Sequence, residues 1–91
     1  MGLEWDARKN AANLSKHGLG FEEASEIFDG PFFQLHDNRR EYGEVRWRTY
    51  GVCQGRVLAV IFTWRGENRR IISARKANDE ERRAYEILLQ R

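Results

Sequence analysis

The chain has 91 residues, of which 33% are charged and 41% hydrophobic, with a net charge of +2 and one cysteine, Cys53. That length predicts a single domain with a surface site, because a core this small leaves no room for a second lobe or an enclosed cofactor cavity. One cysteine excludes an internal disulfide and a cysteine-built metal site, and the longest apolar run, Val57 to Phe62, is too short to span a bilayer. The start, Met1 to Asp6, has no basic region followed by an apolar one, so the expectation is a cytoplasmic protein in a reducing compartment. The charge is unevenly divided: residues 1–30 carry three Lys/Arg against six Asp/Glu, whereas residues 39–76 carry ten against three. A net +7 over that middle stretch predicts a surface that attracts a polyanion or an acidic partner.

Leu3 to Trp5 reads as a short first strand ended by Asp6, which caps a helix over Ala7 to His17. Ala7, Ala11 and Leu14 share one face of that helix, and Gly18 supplies its left-handed stop. A second helix is predicted over Phe21 to Asp29, with Phe21, Ala24, Ile27 and Phe28 inward and Glu22, Glu23 and Glu26 outward. Gly30-Pro31 ends it. Phe32 to His36 reads as a strand and Asp37 to Gly43 as a polar loop. Val45 to Val52 alternates, so that Arg46, Arg48 and Tyr50 line up on one side. After a tight connection at Gln54-Gly55, the nearly continuous apolar run within Arg56 to Trp64 predicts a central strand covered on both faces. A hairpin through Arg65 to Asn68 leads to the strand Arg69 to Lys76. Asn78 with Glu81 three residues on predicts the cap of a last helix, with Ala84, Ile87 and Leu88 on one face. The order β-α-α-β-β-β-β-α describes an α+β domain with a mostly antiparallel sheet.

The strand Arg69 to Lys76 does not fit a simple pattern. Strict alternation puts Arg70, Ile72 and Ala74 on one face and Arg69, Ile71, Ser73 and Arg75 on the other, and neither face is purely apolar. A strand that gives core contacts and presents arginines together is the kind of conflict found at functional sites. The alternative is a solvated sheet edge kept from aggregating by charge.

The segments Glu4-Trp5-Asp6, Asn13-Leu14-Ser15-Lys16-His17-Gly18, Phe21-Glu22-Glu23-Ala24, Gly55-Arg56-Val57-Leu58, Arg70-Ile71-Ile72-Ser73-Ala74-Arg75-Lys76-Ala77 and Glu81-Arg82-Arg83-Ala84-Tyr85-Glu86 together resemble the BrnT family. They occur in the family's order and span almost the whole chain, the Ile-Ile-Ser-Ala-Arg-Lys-Ala string being the most specific. Asn78 stands where the family commonly has threonine, and Val45 where it often has an acidic residue. The resemblance implies a type II toxin with a RelE-like fold that cleaves RNA and inhibits growth. It also implies neutralisation by a BrnA-type antitoxin whose ribbon-helix-helix domain carries the complex to operator DNA.

RNA contains its own nucleophile, the 2′-OH, so a ribonuclease needs neither a cysteine nor necessarily a metal, and none is expected here. The protein must position the backbone, stabilise the phosphorane and protonate the leaving 5′-oxygen. Arginines suit the second task, since their fork engages two phosphate oxygens and stays charged. The family fold implies Arg75 and Arg46 as phosphate-stabilising groups, with Arg48 and Arg70 supporting RNA binding; Lys16, set against a residue of the helix C-terminus, and Lys76 are further candidates for RNA binding. Tyr85 is a candidate acid, base or stacking platform, set against a tyrosine at the core edge. His17 is a candidate general acid or base, set against a histidine that favours a helix C-terminus. His36 reads as a surface histidine, and Trp5, Trp47 and Trp64 as core aromatics, with base stacking the alternative. A different class of function uses the same basic sheet as a non-catalytic module for RNA or a protein partner.

Overall fold

The computed structural model describes residues 2–89. Asp6 divides the first strand, β1 (Leu3–Trp5), from the first helix, α1 (Ala7–His17), and its carboxylate accepts the N–H groups of Arg8 and Lys9 at 2.9 and 3.0 Å. Gly18 ends α1 at φ 71°, where its N–H reaches the Leu14 carbonyl. The second helix is shorter than its periodicity predicts: α2 covers Phe21–Ala24, and Ser25–Asp29 tightens into a 3₁₀ segment. The Ser25 hydroxyl donates to the Phe21 carbonyl at 2.6 Å, claiming an acceptor of the preceding turn. The tighter winding seats Ile27 on Gly51, where a β-carbon would stand 2.8 Å from Ile27 Cβ. Only glycine admits that approach.

Four further strands follow: β2 (Phe32–His36), β3 (Trp47–Cys53), β4 (Arg56–Arg65) and β5 (Asn68–Lys76). They form one sheet with β1 in the order β1-β5-β4-β3-β2, antiparallel throughout except for the β1–β5 pair. β3 starts two residues later than its alternation predicts. Val45 and Arg46 leave the regular strand, although their carbonyls are still used, by the Thr63 hydroxyl at 2.6 Å and the Asp37 N–H at 2.8 Å. Gln54 and Gly55 both have positive φ, 52° and 78°, as a two-residue hairpin turn that follows the sheet twist requires. The central strand is β4, buried from Leu58 through Thr63.

Strict alternation fails on β5. Ser73 pairs with Ile61 and Ile71 with Phe62, so Ile72 is an extra residue at a bulge. Ile71 and Ala74 consequently point to the same face, into a core with Phe21, Ile27, Leu58, Val60 and Phe62 beneath α1 and α2. Arg75 is thereby turned to the opposite face. There the last helix, α3 (Asp79–Leu89), packs Tyr85 against Tyr50, Ala59 and Phe33. Among the described residues no helix is long and apolar enough to cross a membrane.

β1 pairs only with the first part of β5, and Asn13 of α1 covers the edge beyond. Its Nδ2 donates to the Ala74 carbonyl at 2.8 Å and its Oδ1 accepts the Ala74 N–H at 3.1 Å, while Nδ2 also reaches the Leu19 carbonyl at 2.9 Å. One side-chain amide thus does what a neighbouring strand would do. Asn13→Ala leaves these backbone groups without partners, and we expect a loss of about 2–4 kcal/mol. It is read as a lower urea midpoint at unchanged m-value.

Candidate active site

The site is built where β3, β5 and α3 meet on the Arg75 face. Asn78 and Glu81 form a reciprocal cap: Asn78 Oδ1 accepts the Glu81 N–H at 2.8 Å and Glu81 Oε1 accepts the Asn78 N–H at 2.9 Å. The same carboxylate holds the Arg75 guanidinium in a fork, at 2.7 and 2.9 Å. Tyr50 donates its hydroxyl to Glu81 Oε2 at 2.6 Å. Arg75 chiefly, aided by Tyr50 and the Asn78 N–H, holds the Glu81 carboxyl down to about 2. Burial, reinforced by Glu81, pushes the Tyr50 phenol up to about 12, and the Glu81 contact raises Arg75 further still. Near neutral pH the cluster is a protonated tyrosine, a carboxylate and a guanidinium.

Arg48 precedes Tyr50 by two residues and shares its face. Its Nε is buried without a hydrogen-bond partner, and its guanidinium carbon lies 6.0 Å from the Tyr50 ring centroid. Arg48, Tyr50, Leu35, Asn78 and Glu81 line an open cleft of about 300 Å³. Cations beside an open cleft between the sheet and α3 can receive a phosphodiester: the arginines supply fixed charge, and the carboxylate fixes one of them in place. Among the described residues no three His, Cys, Asp or Glu side chains are grouped to hold a metal ion.

The other predicted site residues lie apart from this cluster. Arg46 sits in the loop before β3, its Nε 2.9 Å from Glu44 and its guanidinium carbon 4.2 Å from the Tyr42 ring centroid. By strand geometry it stands about 13 Å back along the line of β3 from Tyr50, while Arg75 lies two strands, about 10 Å, to the side. Tyr85 is buried, at 2% exposure, and donates its hydroxyl to the Pro31 carbonyl at 3.0 Å; it is a packing residue below the cleft, not an open acid or base. His17 and Lys16 stand at the exposed end of α1, on the other side of the sheet, beside Lys9, Ile72 and Ser73. Arg70 shares the Arg75 face and pairs with Glu4 at 2.8 Å. Lys76 is exposed beside Arg56 and Arg82. Of the tryptophans, Trp5 and Trp47 pack on the core while Trp64 is 40% exposed; His36 is exposed, 5.2 Å from the Trp47 ring. The residues that sequence reasoning passed over are Glu81, seen only as a cap, and Tyr50, seen only as aligned with the arginines.

The fold and site define a small α+β domain with arginines gathered on one face of its sheet. The 1.1 Å crystal structure of the Brucella abortus ribonuclease toxin BrnT matches this chain with a TM-score of 0.65 at 29% identity, covering 87% of this chain and 99% of that one. A family model described as "Ribonuclease toxin, BrnT, of type II toxin-antitoxin system" matches residues 5–81. The chain belongs to that family, and it is a ribonuclease toxin of a type II toxin–antitoxin system. No curated protein matches it.

The depressed Glu81 pKa fixes a pH dependence. Its stabilisation is fully present above the ordinary value of 4.5 and is lost as the pH falls towards about 2. We expect about 2–3 kcal/mol to disappear over that window. Tyr50 acts at the other end, where stability falls as the pH rises from 10.0 to about 12. Urea unfolding of Glu81→Gln across the acid window should show a much weaker dependence on pH than the parent.

Proposed function

We propose that the chain works as a single toxin domain that cleaves RNA, without a metal ion, by attack of a ribose 2′-OH on the adjacent phosphorus. The P–O5′ bond breaks to leave a 2′,3′-cyclic phosphate, and solvent takes the 2′-OH proton and protonates the leaving 5′-oxygen. The observation that carries this reading is an open cleft lined by Arg48, Tyr50 and Glu81, with Arg75 bonded to Glu81 beside it and a guanidinium nitrogen of Arg48 left unpaired. In this mechanism Arg75 and Arg48 bind the non-bridging oxygens of the scissile phosphate and neutralise the charge that grows on the phosphorane. Glu81 and Tyr50 act one step back. The carboxylate holds the Arg75 fork at a fixed position, and the phenol, protonated through the neutral range, holds the carboxylate. Arg46 and Arg70, both towards one end of the sheet, bind flanking phosphates.

The site carries no role for Tyr85, whose hydroxyl is spent on Pro31, nor for His17 and Lys16 across the sheet. The antitoxin that silences the chain is read as a BrnA-type protein with a ribbon-helix-helix domain, through which the complex meets operator DNA. That reading rests on the family.

Incubating the purified chain with RNA tests the mechanism. Cleavage should persist in EDTA, leave a 2′,3′-cyclic phosphate and fail on a substrate with a 2′-deoxy sugar at the cut site. Loss of cleavage in EDTA that is restored by a divalent ion would overturn the metal-free reading. Arg75→Ala and Arg48→Ala should each lower the rate by about 10²–10³. Expressed in bacteria, Arg75→Ala should relieve growth arrest. Weaker RNA binding by Arg75→Ala, with no cleavage by the parent chain either, would make the protein a binding module. Tyr85→Phe should keep cleavage within about threefold and lose about 1 kcal/mol of stability in urea unfolding.

A further inference from the structure

Among the described residues two buried side-chain nitrogens have no hydrogen-bond partner, and both are arginine Nε atoms. Arg48 belongs to the cleft. The other, Arg69, lies on the opposite face, next to Trp64 on β4 and Leu3 on β1. Its guanidinium carbon stands 4.2 Å from the Phe28 ring centroid, 4.8 Å from Trp64, 5.4 Å from Phe62 and 5.9 Å from Phe32.

A cation held by four rings gains from their π faces, but rings accept none of its N–H groups. Four other arginines are served differently: Arg75, Arg70, Arg46 and Arg39 each have a carboxylate within 3 Å. Among the described residues the Arg69 Nε has no hydrogen-bond partner, and burial lowers the pKa of the side chain. A methionine or leucine would fill an aromatic pocket of this kind without the cost of a desolvated charge. An unpaired charge in such a place calls for a partner from outside.

We propose that Arg69 is the anchor of a second binding surface, which takes a carboxylate side chain flanked by apolar residues on the antitoxin. The surface is the cross-strand row Leu3, Arg69 and Trp64, in which the two outer members are 45% and 40% exposed. An apolar wall on each side of one cation suits an Asp or Glu set among apolar neighbours. RNA fits less well. A phosphate chain needs several cations in succession, whereas this row holds one cation between two apolar side chains. The surface also lies across the sheet from the cleft, so antitoxin seated there holds the toxin without competing with substrate for Arg75. This inference rests on the toxin–antitoxin reading of the chain.

The test titrates the chain with its cognate antitoxin by calorimetry and follows RNA cleavage by the chain alone. Arg69→Met should weaken antitoxin binding by about thirtyfold or more. It should melt no lower than the parent and cut RNA at the parent rate. Leu3→Asp serves as a second variant at an exposed position: it sets a carboxylate beside Arg69 within the chain, and should weaken the antitoxin by about tenfold. Antitoxin affinity unchanged in both folded variants would overturn the proposal, as would a loss of RNA cleavage in Arg69→Met with the antitoxin still bound tightly. Absence of RNA cleavage by the parent chain, with the affinity losses as expected, would count against the catalytic reading and leave the Arg69 surface supported.

Discussion

The extra residue at Ile72 governs how this sheet divides its work. Without it, Ile71 and Arg75 would point to the same side of β5, and either an arginine would enter the core under α1 or an isoleucine would leave it. The bulge lets Ile71 and Ala74 serve one core while Arg75 serves the opposite face. It also sets the phase of the whole strand, so that Arg69 and Arg70, adjacent in sequence, meet quite different surroundings: four aromatic rings for one, the Glu4 carboxylate for the other. Two faces with different chemistry come from one dislocated ladder.

Glu81 is the second point of economy. A capping glutamate ordinarily satisfies one backbone N–H and otherwise faces water. Here it also receives Arg75 and Tyr50, so the start of α3, the end of β5 and the middle of β3 are tied through one carboxylate. Rigidity at Arg75 therefore comes from charge-assisted bonds, not from enclosure, and the guanidinium remains about a third exposed beside the cleft.

The elements that were legible in the sequence are those set by local signals. Asp6 and Gly18 bracket α1, Pro31 precedes β2, and the run from Val57 to Phe62 marks the central strand, all as found. The second helix was overextended because its apolar spacing persists past Ala24, where the Ser25 hydroxyl and the close fit of Ile27 on Gly51 favour tighter winding. The bulge left no local signature, only the mixed character of both faces of β5. For the site, strict alternation puts Arg70 and Arg75 on opposite faces of β5, and the bulge at Ile72 brings them to the same one. A tyrosine two turns into a helix reads the same whether its hydroxyl meets substrate or a backbone carbonyl, and the Tyr85 hydroxyl bonds the Pro31 carbonyl. Glu81 went unread because its capping role already accounted for it. Arg69 reads from sequence as one more surface cation, and only the arrival of Phe28 and Phe32 from distant segments shows otherwise.

The amide of Asn13 also decides what can happen at the margins of the sheet. β1 has three residues, and the length of β5 beyond it is closed by a side chain that leaves no free ladder at Ala74. That makes β2, five residues with no strand on its outer side among those described, the one long edge open to backbone pairing. If two copies join there in antiparallel fashion, each uses its only such edge, and the pair closes on a two-fold axis. No register remains for a third chain. Edge pairing of that kind would end at two copies, because on the opposite margin Asn13 already holds the backbone groups of Ala74.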